Sequence, residues 1–472
     1  MKELLLKLTP AFTPDPELDP TFLPAALFNR AYQTMVDGET GSRPIELATV
    51  RRDGCCFRHC ARILPEEPRY RKLTRRYVER LVKFLLWQKG GSTLYLSGCP
   101  ELAGWLQSVY SPEGERAFDS DIVGVKIFGQ ALTVKAVARE ELPRPHDPAS
   151  ALGGHTEGCR IGFDLGGSDR KCAAVIDGKV IFSEEIPWDP YFQSDPRYHW
   201  EGIQDSLTRA AAHLPRVDAV GGSAAGVYVN NEVRVASLFR GVGEADFEKQ
   251  VRRIFPELKQ EWGGVPFEVV NDGEVTALAG HLSLRDGSVL GISMGTSLAA
   301  GYCDDRGRIT SWINELAFAP VDLHEDAPVD EWSGDRGCGV QCFSQQAVSR
   351  LALAAGYVFP EKTGFAEKLI QVQEDMNRHD PRARSIFNTI GIYFGYALAH
   401  YADFYDLRNI VILGRVTSGE GGELILTKAR EVLDVEFPGL SETLRLSTPD
   451  EKMKRHGQAV AAASLPALNP TP

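Results

Sequence analysis

Long apolar runs are missing from this sequence, and no stretch approaches the roughly 20 residues that a membrane-spanning helix needs. Met1-Lys-Glu-Leu-Leu-Leu-Lys-Leu is too short and too broken by charge for a secretory signal, so a cytoplasmic protein with no membrane partner is expected. A basic excess is missing too. Lys and Arg number 52 against 64 Asp and Glu, a formal charge of −12, which argues against a dedicated nucleic-acid binder. The cysteines are nine, an odd number without framework spacing, which fits reduced thiols better than a disulfide scaffold. At 472 residues the chain is too long for one ordinary domain.

What is present centres on Cys159 to Ser183. Ile161 to Leu165 form an apolar run broken by one carboxylate, Asp164, just before Gly166-Gly167-Ser168. A buried acid needs a partner because desolvating a charge is costly, and a metal or a metal–phosphate complex is one such partner. Two glycines let backbone approach an anion closely, and Ser168 adds a hydroxyl and an N–H. Asp177-Gly178 then supplies a favoured hairpin turn. Taken alone, the stretch is equally an ordinary hairpin with a glycine-rich bend.

The same grammar returns from Gly291 to Ile309. Gly162 pairs with Gly291, Asp164 with Ser293, Gly166 with Gly295 and Ser168 with Ser297. Two copies of one phosphate-cradling hairpin suggest two similar lobes facing each other across a nucleotide cleft. Between them, Pro266 to Val270 read as a strand that ends in Asn271-Asp272 before an Ala-rich helix start. Asp272 is either an N-cap or a general base; its place between two phosphate motifs favours the second.

These three stretches resemble the phosphate-1, catalytic-Asp and phosphate-2 motifs of the actin/hexokinase/acetate-kinase superfamily. Their order and spacing are most similar to the ROK (repressor, open reading frame, kinase) sugar kinases, over about residues 158–468. The resemblance implies an α/β fold of two actin-like (ribonuclease H-like) lobes around a nucleotide cleft, preceded by a small α/β domain. The expected divisions are 1–145 for that unassigned domain, 158–275 for the first lobe and 276–468 for the second, with the C-terminal helix returning to the first lobe. The implied activity is ATP-dependent phosphorylation of a sugar hydroxyl, with a non-catalytic ligand sensor and a partner-activating ATPase as alternatives.

Carried over by position, Asp272 becomes the catalytic base and Asp164 the magnesium-side acid. Gly166, Gly167, Ser168, Lys171, Gly295, Thr296, Ser297 and Gly414 would hold ATP. Gly226, Asn271, Asp272 and Glu315 would hold the sugar. Glycines near 273–280 and 414–419 are expected to act as hinges, and the family's homodimer is a possible assembly. The chain departs from the pattern at Leu298, at Arg415, and at Phe318, which stands where the family has a zinc-ligand histidine. Only Cys338 survives from its zinc-binding cysteines, with Cys342 nearby, so zinc is not expected there. Gly334-Asp335-Arg336-Gly337-Cys338-Gly339 also resembles a turn of the N-acetylglucosamine-kinase and reductase-activator branches.

The N-terminal part lacks the three-helix DNA reader that many family members carry. Residues 1–22 read as a loose arm, Arg69 to Trp87 as an amphipathic helix with a solvated basic face, and Ile122 to Val137 as one or two strands around Gly129. Cys55, Cys56, His59 and Cys60 cluster soft metal ligands, but only Cys99 is available to complete a site, and buried structural thiols are the plainer reading. Glu140 to His155 read as a linker.

Overall fold

Leu73, Tyr77, Leu81 and Leu85 stand four residues apart, and the helix they predict runs Pro68–Lys89. Proline fits the first turn, where its missing N–H costs nothing, and Gly90 closes the last turn at φ +76°. The basic face is solvated only in part. Arg80 and Lys83 are buried, because the helix is wedged between its own sheet and the second lobe.

The structure is a computed structural model that describes residues 15–147, 152–449 and 457–468. Most of the expected N-terminal arm, residues 148–151 of the linker, His456 and the tail from Asn469 lie outside the described residues. Among the described residues no helix is long and apolar enough to cross a membrane.

The N-terminal part opens with helix α1 (Ala25–Gly38) and a hairpin of β1 (Arg43–Val50) and β2 (Cys56–Ile63). Helix α2 (Pro68–Lys89) leads to β3 (Thr93–Ser97) and β4 (Thr133–Ala136), giving a sheet in the order β2-β1-β3-β4. The expected strand across Ile122 is instead a wide helical turn, Ser120–Ile127. Buried Ile122, Val123 and Ile127 suit either geometry, and Gly124 lies so close to the Gln130 carbonyl that the chain must fold back there.

Strands β5 (Cys159–Leu165), β6 (Asp169–Ile176), β7 (Lys179–Pro187) and β8 (Ala219–Ala224) follow. After the short hairpin of β9 (Val227–Val229) and β10 (Glu232–Val235) comes β11 (Phe267–Asn271), and the first lobe's sheet runs β11-β8-β5-β6-β7. Helix α3 (Asp272–Leu284) then leads to β12 (Val289–Met294), β13 (Leu298–Cys303), β14 (Asn409–Leu413) and β15 (Arg445–Ser447), ordered β13-β12-β14-β15. In both sheets the first strand pairs antiparallel with its hairpin partner and parallel with the next strand, β5 with β6 and β8, β12 with β13 and β14. The repeat seen in the sequence is thus a repeat of topology: two actin-like lobes.

Two long helices, α4 (Pro381–Tyr401) and α5 (Glu420–Glu436), pack through glycine. A Cβ at Gly391 would stand 2.6 Å from the Lys428 Cβ, and one at Gly395 2.6 Å from the Val432 Cβ. Helix α6 (Gln458–Ala463) lies directly on the first lobe, where a Cβ at Gly162 or Gly221 would stand 1.7 Å from a carbonyl of this helix.

One hydrophobic core joins the N-terminal part to the second lobe, running from Phe22 and Phe28 through Trp87 and Leu106 to Ile292, Phe318 and Phe394. The division near residue 145 therefore separates sheets but not cores. At its centre is a buried charge network. Arg80 holds Glu79 at 2.6 Å and Asp335 at 2.9 Å; Lys83 holds Asp119 at 2.7 Å and Asp335 at 3.0 Å; Arg116 holds Glu79 at 2.7 Å and Asp335 at 2.6 Å. Burial alone would raise the Asp335 carboxyl, but Arg80, Lys83 and Arg116 hold it far below the usual carboxylate range.

Candidate active site

The chain crosses between lobes at Asn271 and Asp272. Strand β11 belongs to the first lobe's sheet, whereas α3 packs on β12 and β13 of the second. A Cβ at Gly273 would stand 2.2 Å from the Ala300 carbonyl, and one at Gly280 2.8 Å from Val411. These glycines are positions of close packing.

Asn271 caps α3 by accepting the Gly273 N–H at 2.7 Å. Its amide donates to the Gly226 carbonyl at 2.7 Å and to Glu315 at 3.4 Å. One side chain thus ties the helix start, the small-residue loop and a carboxylate of the second lobe. Gly226 sits at φ +135° with the β10 end pressed against it, and a side chain there would strike Ala236.

Three carboxylates converge here and disturb one another. Burial, followed by the charge of Asp164, pushes Asp272 up to about 6 against the hydrogen bond from Gly273. Burial and then Asp272 push Glu315 up to about 8. Asp164 is itself raised by burial, offset by Lys171, whose ammonium stands 3.9 Å away. Lys171 is closer to Asp169, at 3.3 Å, so its charge is shared between two acids. Asp164 is therefore a buried carboxylate with only a distant cation, which fits a divalent ion between it and bound phosphates.

The two glycine turns are similar but not equal. Gly166 donates its N–H to Asp169 and Gly295 to Ser297, both at 2.9 Å, so the second turn is one residue tighter. Those two N–H groups close the turns. The amides of Gly167, Ser168, Thr296 and Ser297 donate to no protein acceptor among the described residues. Gly414 ends β14 at φ +106°, directly against the Met294 carbonyl, which brings the expected adenosine motif beside the second turn. Arg415 is exposed and offers its carbonyl to Gln373 at 2.7 Å.

Several residues here escaped sequence reasoning. Tyr191 lies so close to Gly167 that a Cβ there would stand 2.1 Å from its hydroxyl, and Arg240 covers the Tyr191 ring at 4.0 Å. Glu274 stands at the capping-box position but turns inward, accepting from Asn314 at 2.6 Å and from the Tyr302 N–H at 3.2 Å. Burial pushes it up to about 8. The Asp-Gly-Glu spacing after Asn271 was the available signal for Glu274; Tyr191 and Arg240 carried none. A cavity of about 390 Å³ adjoins the acceptor side, walled by Gly226, Tyr228, Asn271, Glu274, Trp312 and, from the N-terminal part, Arg51.

Around Phe318 and Cys338, where the resemblance leads to no zinc being expected, the chain packs rings and charges. Phe318 lies 4.5 Å from Trp87, 5.5 Å from Phe118 and 5.3 Å from Trp332. Burial pushes the Cys338 thiol up to about 12, beside Lys83 and Asp335 of the buried network. On β2, His59 stacks on Phe404 at 5.4 Å. Among the described residues the one cluster spaced for a metal is Glu66, Cys99 and Glu101, and Arg43 already bonds Glu66 at 2.8 Å and Cys99 at 3.1 Å.

No family model and no curated protein matches this sequence. Solved structures do match. A ROK family glucokinase from Streptomyces griseus, in complex with glucose and AMPPNP, is 21% identical, with 65% of this chain and 98% of that one covered and a TM-score of 0.51. A ROK hexokinase from Thermus thermophilus is 20% identical, with 65% and 96% covered and a TM-score of 0.50. The fold is that of the ROK family. A ROK family transcriptional regulator, a homolog of the E. coli MLC protein, shares it at 19% identity, with 65% and 78% covered and a TM-score of 0.50. The ROK fold thus covers about two thirds of this chain and leaves about a third as an addition.

Proposed function

We propose that this protein transfers a phosphoryl group from ATP to a hydroxyl of a sugar or sugar derivative. The observation that carries this reading is Asp272, held at the lobe crossing with its carboxyl pushed up to about 6. A base poised near neutral pH can take the acceptor's proton as the new O–P bond forms. Asn271 and Glu315 orient the acceptor hydroxyls, Glu315 as a protonated donor at neutral pH. Magnesium-bound ATP supplies the phosphoryl group when present. Asp164 would hold the magnesium side, and the amides of Gly167, Ser168, Thr296 and Ser297 would hold the phosphates. Most of the work is positioning and charge neutralisation, as phosphoryl transfer requires. An ATP-consumption screen with magnesium across hexoses, amino sugars and their N-acetyl forms tests it. Sugar-dependent turnover lost in Asp272→Asn supports the reading, and no turnover with any sugar overturns it.

A second reading, a non-catalytic sugar sensor, is favoured by Tyr191, whose hydroxyl crowds the first phosphate turn at Gly167. Saturable sugar binding without ATP turnover would select it.

A further inference from the structure

The first half of α2 walls a cavity of about 730 Å³ that lies outside the residues assigned to the cleft. Its other wall is the loop from His324 to Arg336 of the second lobe. Seven basic side chains and four carboxylates face it. Arg80 and Arg116 are committed to Glu79 and Asp335 in the buried network, and Lys72 pairs with Glu325 at 3.0 Å. Arg71, Arg75, Arg76 and Arg336 remain, and among the described residues none has a carboxylate in ion-pair contact. Arg75 lies over the Trp105 ring at 5.0 Å, which keeps its guanidinium at the wall. Arg76 and Arg336 touch only backbone carbonyls, those of Leu323 at 2.5 Å and Ala327 at 3.0 Å. The Nε of Arg76 is buried without an acceptor, and burial together with the charge of Arg80 disfavours its cation.

The cavity's four carboxylates are paired with Lys72, Arg80, Lys83 and Arg116, so the four remaining arginines give the concavity a net positive lining that suits an anion. We infer that this cavity is a binding site for a phosphorylated small molecule, clamped between α2 and the 324–336 loop. Guanidinium forks match phosphate oxygens two at a time, and the arginines come from two elements, so the ligand bridges them. The same helix ends at the acceptor side, where the Trp87 carbonyl accepts the Glu315 N–H at 2.9 Å.

The test is calorimetric titration of the full-length protein with inorganic pyrophosphate, at two salt concentrations. Wild type is expected to show saturable, salt-weakened binding that falls at least tenfold in Arg336→Gln and in Arg75→Ala/Arg336→Gln. Arg336 is exposed and outside the buried network, so the single variant is read first and its melting temperature is the folding control. Absence of saturable binding to wild type overturns the inference. Unchanged affinity in both variants also overturns it, because the pyrophosphate is then held by the cleft.

Discussion

The Glu315 N–H donates to the Trp87 carbonyl at 2.9 Å, so the acceptor-side carboxylate hangs from the end of an N-terminal helix. The Trp87 indole fixes that end, donating to Asp119 and packing against Phe318 at 4.5 Å. Trp87→Ala removes a fully buried ring, which costs about 3–5 kcal/mol. The expected outcome is a lower melting temperature together with weaker sugar binding, while affinity for ATP changes little. Thermal melting and calorimetry with each ligand check it.

Asp272→Asn keeps the shape of the helix start and removes the base. Turnover should drop roughly 10²–10⁴-fold with nucleotide affinity nearly intact. Single-turnover kinetics alongside nucleotide titration measure both, and activity within a few fold of wild type would take Asp272 out of the mechanism.

Asp272 must be ionised to accept a proton, and its carboxyl is raised to about 6, so kcat should fall as pH drops below that value. Glu315 donates only while protonated, up to about 8, so kcat should fall again above it. The two acids interact, and the limbs of the bell belong to the pair. A pH–rate profile flat from 5 to 9 would contradict this assignment.

Lys89 lies over Trp312, and burial pushes its ammonium down to about 6. The unfolded chain keeps that proton to about pH 10. Between those values the unfolded state binds more protons, so this group's contribution to stability is present at high pH and is lost as pH falls toward 6. Lys89→Met should therefore melt higher than wild type at pH 7, on the order of a few degrees, with the difference closing toward pH 10. Melting curves across that range decide it.

Asp335 serves Arg80, Lys83 and Arg116 at once. Asp335→Asn leaves buried cations short of a partner and should destabilise by about 3–5 kcal/mol. Treatment with a chelator, by contrast, should leave melting unchanged. Elemental analysis finding one zinc per chain would contradict the substitution of charges for metal.

The two glycine hairpins and the Asn-Asp strand end could be read in the sequence because each couples a strand pattern to a turn within a dozen residues. The family resemblance alone groups Asp164 and Glu315 with Asn271 and Asp272; Asp164 acts on Asp272, Asp272 on Glu315, and Asn271 donates to Glu315. The N-terminal part resisted for the opposite reason. Arg80 and Lys83 look like surface charges until Asp335 is brought to them from 255 positions away along the chain for Arg80. The Ser120–Ile127 turn and the Tyr191–Arg240 cover depend on tertiary packing and leave no periodic trace. A glycine in a helix marks close approach as readily as bending, and Gly273 meets the Ala300 carbonyl.

The shared core has a consequence for the order in which the protein can be made. A ribosome delivers α2 early, with Arg80 and Lys83 among its apolar residues, while Asp335 and Phe318 are still untranslated. Until they emerge, Arg80 and Lys83 have Glu79 and Asp119 but lack the Asp335 they share, and Trp87 lacks Phe318. The N-terminal third therefore waits for the second lobe, while the first lobe has a separate core on one face of its sheet and waits for α6 on the other.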